Sequence, residues 1–187
     1  MMHSKRSHVG ILMIAMVVFL ALCPDVFAKE AEAKAAPKAK TIIQRFIGTW
    51  KLVTSEFRTP DGKVTYPLGE KAVGILMYDL GGRMAAQLMR PDRPRFASGD
   101  MRGGTPEEIK TATEGYVAYF GRYEVDEKRG TVVHHVEASL FPNWLGQDQM
   151  RFFKFSDDLL TLKTPPILSG GQEITGVLVW KRLNNEH

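Results

Sequence analysis

From Thr41 onward the chain falls into short runs in which apolar and polar side chains alternate, each closed by turn residues. A two-residue period marks strands with one buried face, and the close spacing of the runs predicts an antiparallel sheet. "GTWKLVTSEF" (48–57) ends at "TPDGK", where Pro, Asp and Gly set a turn. "VTYPLG" follows as a short piece, and "AVGILMYD" (72–79) and "RMAAQLMR" (83–90) flank "LGG" as a hairpin. "GRYEVD", "TVVHHVEASL", "DQMRFFKF", "LLTLKT" and "EITGVLVWKRL" continue the series. Eight or nine strands at this spacing predict a mainly β fold, a barrel or a sandwich.

One helix interrupts them. In "GTPEEIKTATEGYVAYFG" Thr105 stands as N-cap, Pro106 opens the helix and Glu108 completes a capping box. Ile109, Ala112, Tyr116 and Tyr119 or Phe120 recur at helical spacing, and Gly121 is the expected stop. The apolar face is read as packing against the barrel or closing one end of it.

The first forty residues follow other rules. Lys5 and Arg6 precede an apolar run from Val9 to Cys23, and Val26 and Ala28 fill the small positions before Lys29. This pattern predicts a signal peptide over residues 1–28; the run is short for a membrane span. An uncleaved leader is the alternative, and it is the only membrane attachment the sequence suggests. Residues 29–40, "KEAEAKAAPKAK", have little to bury and read as a solvated, disordered spacer. The folded domain is therefore expected over 41–187, with the protein exported, periplasmic or secreted.

Charge then changes meaning. The whole chain holds 25 basic and 21 acidic residues; setting aside six and three in the leader and spacer leaves 19 against 18. A near-neutral domain lacks the basic footprint of a nucleic-acid partner. The single cysteine, Cys23, leaves with the leader, so the core must hold without disulfides, as 147 residues from Thr41 allow.

"FIGTW" places Gly48 and Trp50 in the G-x-W spacing of lipocalin first strands, and "VLVWKRL" ends the last strand with Lys181 and Arg182. "DGKVTYPLG", "GRMAAQLMRPDRPRFASGD", "YVAYFGRYEVDE" and "HHVEASLFPNWLG" carry a wider similarity. Over 44–183 the chain resembles a bacterial lipocalin-like domain family. The resemblance implies a single calycin-type antiparallel β-barrel with one inserted helix, and a basic side chain of the last strand covering Trp50. Unlike ordinary lipocalins, the helix sits between the fourth and fifth strands, so their ligands do not carry over.

On the strand "TVVHHVEASL", alternation sends His134 and His135 to opposite faces. Val132, His134, Val136 and Ala138 form the apolar face, so His134 points inward, while His135 and Glu137 share the outer one. A two-histidine metal site is not expected, and no cofactor is called for. His134 is either a buried side chain with both nitrogens satisfied or a polar anchor for one end of a ligand. Gln87 and Met89 share one face of their strand and suit an adaptable cavity wall, although both faces there are mixed. If Arg151, Phe153 and Phe155 face inward, Arg151 needs a carboxylate partner or an anionic ligand. Arg90, Arg93 and Arg95 crowd a proline-stiffened loop, a solvated segment or an anion contact at the mouth. Trp144, in "LFPNWLG", is a lid or barrel-end packing.

These residues predict an exported binding protein whose barrel holds a small hydrophobic or amphiphilic molecule. The rivals are an isomerase or cyclase using His134 as acid or base, and a haem-binding barrel using it as axial ligand. Oligomeric state is not legible.

Overall fold

The computed structural model describes residues 40–183. The expected leader, and all of the spacer but Lys40, lie outside them. Ten strands form one sheet: β1 (Gly48–Arg58), β2 (Val64–Thr65), β3 (Val73–Tyr78), β4 (Arg83–Met89), β5 (Tyr116–Asp126), β6 (Thr131–Ser139), β7 (Asp148–Ser156), β8 (Leu159–Lys163), β9 (Ile167–Ser169) and β10 (Gln172–Arg182). Eight of them close into an antiparallel barrel because β10 returns to pair with β1; β2 and β9 add outside the ring. The strand series expected from the alternation is present, with Ile167–Ser169 as an unexpected addition. Closure removes the open edges of the main sheet, which would otherwise invite another chain to pair.

Among the described residues two α-helices accompany the sheet, α1 (Ile42–Phe46) and α2 (Pro106–Glu114). Both start with a capping box, Thr41 with Gln44 and Thr105 with Glu108. The second box is the expected one. The helix, however, stops at Glu114, well short of Gly121, and none of its residues is buried. "YVAYF" goes instead into β5, where β-branched and aromatic side chains fit a pleated, half-buried surface. Val117, Tyr119 and Tyr123 point inward there at strand spacing, and Phe120 points out.

Helix α1 is short, but it delivers Phe46, fully buried, into one end of the barrel. The Phe46 ring meets Tyr78 edge-on at 5.2 Å and Phe153 and Phe155 at 5.0 Å each. This aromatic plug is finished by Trp50, whose indole N–H donates to the Phe46 carbonyl at 2.8 Å. Outside it, the Arg182 guanidinium lies 4.1 Å from the Trp50 ring and donates to the carbonyls of Ile47 and Arg45. The expected basic cover over Trp50 is therefore Arg182. Gly48 makes room for it: a Cβ there would stand 2.7 Å from the guanidinium, and its φ of +131° disfavours any side chain.

Candidate functional site

Beyond the plug the barrel is hollow. A cavity of about 510 Å³ is walled by Leu76, Ala86, Leu88, Val117, Leu162, Leu178 and Trp180, with Phe57, Leu68 and Phe141 among its outer lining. The polar groups on its wall include Ser55, Tyr119, His134, Gln149, Arg151 and Thr164. A mostly apolar chamber of this size with a few converging polar groups is the usual form of a small-molecule site.

Strand pleat decides what enters it. On β6, Val132, His134 and Val136 are buried while Glu137 is exposed. A bulge opposite Phe120 and Gly121 skips Glu137, but it lies past both histidines and leaves their faces opposed. His135 faces outward, its Nδ1 2.6 Å from Asp148 and its Nε2 3.7 Å from Glu124. Glu137 pairs on the same outer face with Arg83 and Arg122.

His134 is 1% exposed, and both of its ring nitrogens are engaged. Nε2 lies 2.7 Å from the Tyr78 hydroxyl, and Nδ1 lies 2.9 Å from that of Tyr119. Burial holds the imidazole well below its ordinary 6.5, and the nearby charges of Arg151 and His135 push the same way. Burial likewise raises both phenols above 10.0. The three groups are thus neutral together across the physiological range. Tyr78 belongs to the plug, whereas Tyr119 forms cavity wall.

On β7 every second residue faces in, so Gln149 and Arg151 reach the cavity while Phe153 and Phe155 join the plug. Arg151 donates to the Met150 carbonyl at 2.8 Å and to Gln149 Oε1 at 3.3 Å, and no carboxylate pairs with it among the described residues. Trp144, on a 3-10 turn (Pro142–Trp144), also lines the chamber; its ring meets Tyr119 edge-on at 5.6 Å and Phe141 at 5.7 Å. Wall and packing are one role for this residue.

Three expected cavity residues lie elsewhere. Met84, Ala86 and Leu88 are the inward set of β4, so Gln87 and Met89 stand on the outer face. Gln87 Oε1 accepts from the Tyr116 hydroxyl at 2.8 Å. Arg93 folds across the same outer surface, over the Tyr116 ring at 4.9 Å, and donates to the Ala112 carbonyl and the Met89 sulfur. It clamps the end of α2 onto β4 and β5 and does not reach the chamber. The reason is the pleat: both faces of "RMAAQLMR" are mixed, and the small Ala86 and branched Leu88 fit the narrow interior where Gln87 would leave an amide unpaired.

Tyr78, Gln149 and Trp180 were not expected at the site, and Tyr119 was expected only on a helix face. The available signal for Tyr119 was the period-two set Val117, Tyr119 and Tyr123, masked by its overlap with helical spacing. Gln149 follows from the inward phase of Arg151.

Over residues 47–183 the sequence matches the family described as lipocalin-like domain, and the chain belongs to that family. It is 37% identical over 107 residues to a protein of Aspergillus oryzae (strain ATCC 42149 / RIB 40) named 4'-hydroxy-3'-methoxypropiophenone carrier protein. The match covers 54% of this chain and 96% of that protein. That relative is fungal, whereas the resemblance read from the sequence was to a bacterial family.

Proposed function

We propose that this member of the lipocalin-like domain family is a carrier that holds a small aromatic or amphiphilic molecule in its barrel, unchanged, after export from the cytoplasm. The observation that carries the reading is the chamber of about 510 Å³, mostly apolar along its walls, with Tyr119, His134, Gln149 and Arg151 among its few polar groups. Such a site orients one end of a molecule and buries the rest. The fungal relative's name specifies an aromatic ring with short polar substituents as its cargo, and a mostly apolar chamber that includes Trp144 and Trp180 suits a molecule of that kind. Export rests on the leader pattern of residues 1–28.

The enzyme and haem readings both need a free nitrogen on His134. Acid–base chemistry on a ligand, or axial ligation of iron, would have to displace a tyrosine from Nδ1 or Nε2. The carrier reading needs no such displacement.

Native mass spectrometry of protein from its source tests the proposal. A one-to-one adduct released intact by organic denaturation, on a chain beginning at Lys29, is the expected result. A chain that co-purifies with nothing and shows no saturable uptake of aromatic probes would overturn it.

A further inference from the structure

His134 is bonded through both ring nitrogens, one to Tyr78 and one to Tyr119. A neutral imidazole carries one proton, so of its two nitrogens one donates and the other accepts. The Tyr78 hydroxyl is buried in the aromatic plug against Phe46 and Tyr123. Among the described residues its one hydrogen-bond partner is Nε2. Were Nε2 protonated, the Tyr78 O–H would be left without a protein acceptor at a buried position, an arrangement that folded proteins avoid. Tyr78 therefore donates to Nε2, the proton of the ring sits on Nδ1, and Nδ1–H donates to the Tyr119 oxygen. The Tyr119 hydrogen must then point away from the imidazole, and Tyr119 is cavity wall.

Arg151 and Trp180 on that wall are donors only. Arg151 has no acceptor lone pair. The Trp180 indole N–H is buried without a partner among the described residues. The Gln149 carbonyl already accepts from Arg151, and Thr164 Oγ1 accepts from the Gly176 amide at 2.9 Å. The one lining carboxylate, Glu114, is exposed and lies 3.9 Å from Lys110.

We propose that the Tyr78–His134–Tyr119 relay makes the Tyr119 hydroxyl a directed hydrogen-bond donor into the cavity, and that the ligand meets it, beside Arg151, with an acceptor oxygen of a carbonyl or carboxylate. This rests on the carrier reading and deepens it: the ligand class is an apolar, ring-bearing molecule with an acceptor oxygen at one end. His134 acts through Tyr119 as a positioning residue: both of its ring nitrogens are taken, so it offers the ligand no hydrogen bond of its own.

Two measurements test this. In the unliganded protein, long-range nitrogen–proton NMR of the His134 ring should show Nδ1 protonated and Nε2 bare; the opposite tautomer would overturn the proposal. Titration with an acetylnaphthalene, the matching naphthoate and the matching ethylnaphthalene then separates the terms. Tyr119→Phe should weaken the ketone and the carboxylate roughly tenfold while leaving the hydrocarbon within about twofold. Arg151→Gln should cost the carboxylate more than the ketone. The hydrocarbon also monitors whether the Tyr119→Phe barrel is intact. Equal losses on all three probes, or none, would remove the polar anchor but leave the carrier. Failure of every probe to bind the unaltered protein would overturn the carrier reading, and this one with it.

Discussion

The guanidinium of Arg182 lies 4.1 Å from the ring of Trp50, held between the indole face and the carbonyls of Ile47 and Arg45. Strand β10 thereby clasps the start of β1, and the contact seals the plug on which the cavity floor rests. Arg182→Ala should cost about 2–3 kcal/mol, the sum of a partly desolvated cation–π contact and charge-assisted hydrogen bonds. Gly48→Ala should cost about 1–3 kcal/mol by forcing a left-handed φ and crowding the same guanidinium. Chemical denaturation of both single variants and the double checks this. The double should fall well short of the sum, because both changes break one contact.

Gly121 is a second position where the backbone leaves no room. A Cβ there would stand 1.9 Å from the His135 carbonyl oxygen, across the bulge between β5 and β6. Backbone cannot swing aside as a side chain can, so Gly121→Ala should destabilise the barrel by about 3 kcal/mol or more. Thermal melts measure it. A near-neutral outcome would mean that the bulge is absent in solution.

Burial of neutral His134 makes stability depend on pH. Its folded pKa lies well below 6.5, so in acid the unfolded chain takes up a proton that the folded one refuses. The stabilisation is complete above about pH 6.5 and is lost as pH falls toward the folded value, at up to about 1.4 kcal/mol per pH unit. Urea midpoints between neutral pH and mild acid should drop accordingly, and His134→Gln should flatten that segment of the curve.

The outline of the barrel was legible because its cues are local. Alternation marked the strands, Thr105 with Glu108 marked the start of α2, and the ends of the first and last strands carried Trp50 and Arg182. The inward direction of His134 followed from strand period alone. Facing was not legible where both faces of a strand are mixed, as at Gln87 and Met89, since burial there depends on the shape of the interior. Nor was the relay, because Tyr78 and Tyr119 reach His134 from 56 and 15 residues away along the chain. Their convergence depends on the pairing order of β3, β4, β5 and β6, and no single segment encodes that order.

If the barrel is a carrier, the chamber is where its ligand sits. Val117 is a half-buried wall residue, and Val117→Trp places an indole in the space that a ligand would occupy. Titration of an aromatic probe into the unaltered protein and this variant, with a thermal melt of each, is the direct measurement. Binding should be saturable and one-to-one and should weaken about tenfold or more in the variant, at a cost in stability of about 1–3 kcal/mol. Unchanged affinity in a folded Val117→Trp protein would place the ligand elsewhere and contradict the chamber as its site.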